Sequence, residues 1–73
     1  MIYKYKETGN LYKVTGKAQL KDPTTRRWLP AVIYEQYKSL RADGSYVSYA
    51  DEAKMTFVRE QSDFYSKFEI YND

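Results

Sequence analysis

Along residues 9–20, apolar and polar positions alternate with a period of two. Tyr12, Val14, Gly16, Ala18 and Leu20 fall on one side of an extended segment; Leu11, Lys13, Thr15, Lys17 and Gln19 fall on the other. Successive side chains of a strand point to opposite faces, so the pattern predicts a strand with one buried face and one wet, basic face. Residues 2–6 alternate too, with Tyr3 and Tyr5 opposite Lys4 and Lys6. Residues 7–10, where the two segments meet, include Gly9 and Asn10, which accept positive φ, so a hairpin is expected. Gly16, in mid-strand, marks a bulge or a close approach of another group.

Residues 21–27 read as a loop, because Asp22-Pro23 favours a turn and Pro23 cannot donate to a ladder. Residues 31–37 carry β-branched Val32 and Ile33 and read as a strand. The alternative is a helix from Pro30, since Leu29, Val32, Ile33, Gln36, Tyr37 and Leu40 also fit helical spacing. A turn at 41–44, a short strand at 46–49 and a charged connection at 50–53 follow. Residues 55–59 form the last expected strand, with Met55, Phe57 and Arg59 on one face. Ser62 is the expected N-cap of one or two helical turns over 63–68, where Phe64 and Phe68 stand four apart and cover one edge of the sheet. Residues 69–73 read as a frayed or edge segment. The pattern predicts one domain, residues 1–73, of the α+β class and mainly β: a small curved antiparallel sheet of four to five strands with one short C-terminal helix.

Composition narrows the picture. A domain of 73 residues holds only a small core. Nine tyrosines suit half-buried strands and also binding surfaces. Trp28 is expected in the core; exposed beside Arg26 and Arg27, it would instead be a binding anchor. Residues 1–41 hold nine Lys/Arg and three Asp/Glu, a net +6, whereas residues 42–73 hold three and seven, a net −4. Such opposed halves either give the domain two docking surfaces of opposite sign or are interleaved by folding.

There is no histidine and no cysteine. The commonest general base, the commonest metal ligands and the thiol nucleophile are therefore missing. The glycines at 9, 16 and 44 are isolated and make no phosphate-binding loop. Asp51-Glu52 reads as a solvated turn. A binding protein without catalytic activity, cofactor or metal is expected, acting as a monomer away from membranes in a reducing cytoplasm. Its candidate contacts are Lys4, Lys6, Lys13 and Lys17 on paired strands, Lys21, Arg26, Arg27 and Trp28 around the loop, and Tyr3 and Tyr12 between them. Basic side chains interleaved with aromatics suit either a nucleic-acid backbone or an acidic protein patch.

The opening YKYKETGNLYKVTGKA resembles a small family of phage and bacterial β-rich domains without an assigned general function. The resemblance rests on Tyr5, Lys6, Gly9, Leu11, Tyr12, Lys13, Val14, Gly16 and Ala18. FVREQSDFYSKFE resembles that family's Val-Arg followed by a short helix with two Phe, here Val58, Arg59, Phe64 and Phe68, and AVIYEQY its central strand. The likeness departs over residues 38–53. Within the family the chain is similar to small transcription regulators of lytic phages. That resemblance implies a protein of the infected bacterium's cytoplasm that binds host RNA polymerase near the β′ N-terminus and the β flap. It further implies inhibition of initiation by opposing the sigma factor and promotion of antitermination with the elongation factor NusA; a basic face near the RNA exit channel would also suit contact with the nascent RNA.

Overall fold

In the computed structural model, which describes residues 1–72 and their side chains as far as Tyr71, the chain first reverses at residues 7–10. Gly9 adopts φ 80°, the Gly9 amide donates to the Tyr5 carbonyl at 2.7 Å, and the Tyr5 amide donates to the Asn10 carbonyl at 2.9 Å. A Cβ at Gly9 would lie 2.7 Å from a methyl of Leu40. Both the dihedral and the space therefore require glycine. The turn pairs β1 (Ile2–Tyr5) with β2 (Leu11–Lys21), placing Tyr3 opposite Tyr12.

The chain turns again at residues 22–27 into β3 (Trp28–Leu40), a strand of 13 residues. The helical alternative for this segment is rejected. β3 has ladder partners on both edges: β2 on one, and on the other β4 (Tyr46–Ser48) and β5 (Thr56–Glu60) one after the other. A single 3-10 turn at Asp51–Ala53 carries the chain between those two short strands. Then come α1 (Gln61–Lys67) and β6 (Phe68–Asn72), which pairs with β1. The result is an open, curved antiparallel sheet in the order β4-β3-β2-β1-β6, with β5 also on β3. It has the expected class. The sixth strand is the edge alternative for residues 69–73: residues 68–72 pair with β1 at the end of the sheet, and residue 73 lies outside the described residues.

The helix begins earlier than the sequence predicts. Glu60, not Ser62, is its cap: the carboxylate accepts the Ser62 amide at 2.7 Å and the Asp63 amide at 3.2 Å. A carboxylate at this end satisfies two otherwise unpaired amides and suits the helix dipole. Phe68 lies past the helix end, yet it and Phe64 still meet as four-residue spacing requires. Their rings stack at 4.2 Å and 11°.

These two rings, with Tyr3, Val32 and Tyr34, form the buried cluster, and Tyr5, Tyr12, Val14 and Phe57 pack against it. Tyrosine hydroxyls and one cation bring polarity to this core. Arg59 Nε donates to the Tyr34 hydroxyl at 3.1 Å and Nη1 donates to Asp63 Oδ2 at 2.7 Å. The Arg59 guanidinium lies 5.9 Å from the Tyr5 ring centroid and 5.6 Å from that of Phe68. A half-buried guanidinium is thus satisfied by hydrogen bonds, a counter-charge and two ring faces.

Two irregularities in β2 overturn the simple alternation. The register against β3 shifts between Val14 and Gly16, and again between Leu11 and Tyr12. Directly paired residues share a face. Val14 pairs with Tyr34 on the core side, but Lys17 pairs with Val32, also on the core side, while Gly16, Ala18 and Leu20 pair with Ile33, Ala31 and Leu29 on the far side. Gly16 therefore sits at a bulge, and beyond it the predicted faces exchange. Leu11, predicted on the wet face, is 2% exposed beside the other shift.

Candidate functional site

β1 reaches along β2 only as far as Lys13, with one further hydrogen bond from the Val14 amide to the Met1 carbonyl. β5 reaches along β3 only from Glu35 to Ala31. Residues 15–30 therefore form an arm: residues 15–21 run free of β1, and residues 19–30 continue past β5 as well, as its two-stranded end; the molecule measures 44 × 26 × 22 Å.

The tip of this arm is built around Asp22. Its amide donates to the Arg27 carbonyl at 2.8 Å, its carbonyl accepts the Arg26 amide at 2.7 Å, and its carboxylate accepts the Thr24 amide at 2.9 Å. That last bond, reinforced by Thr25, holds the Asp22 carboxyl below the usual carboxylate range. Arg26 closes the loop at φ 60°, a left-handed conformation that L-residues other than Asn, Asp and Gly adopt at some cost. Lys21 and Trp28 are the last pair of the ladder, and the Lys21 ammonium lies 5.7 Å from the Trp28 ring centroid. Trp28 is 62% exposed, so the core role expected for it is overturned. It lies where the ladder has outrun the body, with no second layer to cover it.

The ten candidate residues divide into three groups. Tyr3 and Tyr12 belong to the core: Tyr3 is 8% exposed and meets Phe64 edge-on at 5.2 Å, and Tyr12 packs edge-on against Tyr34 at 5.6 Å. Burial removes Tyr3 from the surface, while Tyr12 is half-buried against the core, which raises its phenol above the ordinary range. Lys4, Lys6 and Lys13 lie on the body, and the first two are engaged there. Lys4 pairs with Glu69 at 3.3 Å, Lys6 Nζ donates to the Ser66 carbonyl at 3.2 Å, and Lys13 stands between Ile2 and Glu35. Lys17, Lys21, Arg26, Arg27 and Trp28 lie together on the arm, all exposed. Lys13 and Lys17 pair with Glu35 and Val32, three positions apart on β3, and so lie on opposite faces. The expected four-lysine face is not formed.

Among the described residues one ion pair, Lys4–Glu69, joins the basic half to the acidic half, whereas Lys54–Asp51, Arg59–Asp63 and Lys67–Asp63 are local pairs within the acidic half, all on the body. The arm keeps its asymmetry, with four Lys/Arg and one Asp across residues 15–30. Among the described residues none of its four cations has an ion-pair partner. The arm is also two-faced. Lys17, Lys21 and Trp28 share one side, and Leu20 and Leu29 share the other with Ile33 and Val58. Leu20 and Val58 are 37% and 48% exposed. This apolar face is absent from the sequence reading, and Gly16 is the signal that announces it.

Among the described residues no cluster of three or more acidic, histidine or cysteine side chains is placed to hold a metal ion. No helix among them is long and apolar enough to cross a membrane. Comparison with protein-family models, with curated proteins and with solved structures returns no match. By fold and site the chain is an open antiparallel sheet bearing a basic, aromatic-tipped hairpin arm.

Proposed function

We propose that this chain is a phage-encoded, non-catalytic regulator that binds host bacterial RNA polymerase through its hairpin arm. It acts in the bacterial cytoplasm, inhibits initiation by opposing the sigma factor and promotes antitermination. The observation that carries the reading is the arm, where Lys17, Lys21, Arg26, Arg27 and Trp28 are exposed and the four cations have no ion-pair partner among the described residues, while Lys4 and Lys6 on the body are engaged. A projecting basic element with one aromatic anchor suits insertion between acidic elements of a large partner. The sequence resemblance supplies the identity of that partner, with contacts near the β′ N-terminus and β flap and with NusA acting alongside.

The test is affinity capture from bacterial lysate with two charge-reversal variants. One carries Lys17, Lys21, Arg26 and Arg27 changed to Glu; the other carries Lys4, Lys6 and Lys13 changed to Glu. Polymerase retained by the wild type and the body variant but lost by the arm variant is the expected result. No polymerase on any of the three refutes the partner. A second reading, direct binding of RNA or DNA, is favoured by Trp28 lying on the same face as Lys17 and Lys21, an arrangement on which a base can stack between phosphate contacts. Mobility shifts at low salt with RNA and DNA alone test it, and an absence of any shift removes it.

A further inference from the structure

The arm leaves one long strand edge open. Among the described residues no strand pairs with β2 beyond Lys13 on the β1 side, so along residues 15–21 about every second residue presents its N–H and C=O unshared there. At about 3.3 Å per residue this edge is roughly 23 Å long, enough for a strand of ordinary length. The other outer strands are shorter: β4 has three residues, and β5 and β6 have five each. Long open edges are normally blunted by lysine, by bulges, by proline, by very short length or by a covering element, because they template the addition of another strand; here Lys17, Lys21 and the bulge before Gly16 deter a like-charged strand and leave an acidic one admissible. Residues 15–21 contain no proline.

We propose that the 15–21 edge of β2 is a docking site for an extended, acidic segment of a partner protein, which adds to the sheet as a further strand. The two faces of the edge define what that segment carries. On one face stand Lys17, Gln19 and Lys21; on the other stand Gly16, Ala18 and Leu20, continuous with Leu29, Ile33 and Val58. A strand lying alongside repeats the same alternation. Its carboxylates meet the two lysines, and the apolar side chains between them extend the apolar face. The recognised pattern is therefore acidic and apolar residues in strict alternation. Backbone hydrogen bonds supply binding, and the lysines select the sign of the charge.

A second copy of this chain fits the edge poorly. Residues 8–21 contain no Asp or Glu, so edge-to-edge pairing would bring Lys17 and Lys21 of both copies together, with Arg26 and Arg27 nearby. Like charges across a ladder destabilise it. This inference rests on the binding-module reading but not on polymerase being the partner.

The experiment titrates the isotope-labelled protein with a capped eight-residue peptide of alternating Glu and Val, and separately with its Lys-Val counterpart. Amide exchange is followed by NMR. The expected result is slowing of amides within residues 15–21 by about tenfold or more with the Glu-Val peptide, with no slowing by the Lys-Val peptide. Lys17→Glu with Lys21→Glu, both at exposed positions, is expected to reverse the preference without altering the spectrum of the body. Equal protection by both peptides, or shifts confined to Arg26, Arg27 and Trp28, overturns the proposal. Protection that rises with protein concentration alone assigns the edge to self-pairing and overturns it too. Displacement of the Glu-Val peptide by an oligouridylate that gives no backbone protection would show the arm to be a nucleic-acid site instead. Failure of polymerase capture leaves these peptide outcomes unaffected, and failure of the peptide leaves capture by the arm tip standing.

Discussion

Replacing Phe64 by alanine tests whether one ring holds the sheet and helix together. Phe64 is 0% exposed and touches four other rings: Phe68 at 4.2 Å, Tyr34 at 5.0 Å, Tyr3 at 5.2 Å and Tyr65 at 5.4 Å. Deleting a buried phenylalanine side chain costs about 3–5 kcal/mol, from lost transfer energy and the cavity left behind. The upper end applies, because the rings facing the gap cannot collapse into it without losing one another. A chain of this size has a total stability of about 4–11 kcal/mol. Each kcal/mol lost lowers the melting temperature of such a domain by about 4–8 °C, so Phe64→Ala loses roughly 15 °C or more and approaches unfolding at ambient temperature. Phe64→Leu, which keeps most of the volume, is expected to lose less than half as much.

The assay is urea denaturation followed by the near-ultraviolet circular dichroism of the tyrosines. Tryptophan fluorescence is the wrong probe, since Trp28 is 62% exposed on the arm and senses the core poorly. A loss below about 1 kcal/mol for Phe64→Ala with an unchanged m-value would refute the reasoning. It would mean that the cluster around Tyr3, Tyr34 and Phe68 closes without its central ring.

Three further outcomes are expected. Hydrogen bonds from Arg59, then Lys67, hold the Asp63 carboxyl below its ordinary range; its contribution is present above the unfolded value of about 3.9 and is lost as pH falls through the lower folded value. Asp63→Asn should accordingly be less stable than wild type near pH 6, with the gap in urea midpoints shrinking below about pH 4; a gap constant with pH contradicts this. Arg26→Gly should leave melting within about 1 kcal/mol of wild type, since relief of the positive φ offsets the added freedom of the unfolded chain; a larger loss in thermal melts would mean that the arginine side chain itself builds the tip. Trp28→Ala should leave stability within about 0.5 kcal/mol while weakening polymerase capture, and strong destabilisation in urea titrations would place the indole in a packed environment after all.

The class of fold was legible because its signals are local. Period-two alternation in residues 2–6 and 55–59, the turn at Gly9 and the four-residue spacing of Phe64 and Phe68 each report on a few neighbouring residues. What escaped was non-local. The strand read at residues 31–37 is present, but its extension to residues 28–40 and the exclusion of the helical spacing there come from β2, β4 and β5 occupying both edges of β3. Ser62 is a good cap by type, but Glu60 lies one residue before the helix and offers two oxygens to two amides. The candidate site failed at the same level. Lys13 and Lys17 share a face in a regular strand and lose it to a single unpaired residue at Thr15, which the neighbouring Gly16 announced without giving its direction. Trp28 was assigned to the core from its type, and only the distance by which the ladder outruns its covering elements exposes it.

The division between body and arm also separates stability from recognition. The body buries Tyr3, Tyr34, Phe64 and Phe68 between sheet and α1 and ties Arg59 to Asp63 and Tyr34, so the residues that hold the fold have little left to offer a partner. A two-stranded ribbon is marginal by itself, and the arm keeps its shape because β3 is anchored within the body by β5 along residues 31–35. Its exposed cations contribute little to folding and repel one another, a mild burden that an anionic partner relieves. Selection for stability alone would place a carboxylate among Lys17, Lys21, Arg26 and Arg27. The one acid there, Asp22, instead spends its carboxylate on the backbone amides of its own turn, fixing the loop while leaving the surrounding positive charge uncompensated.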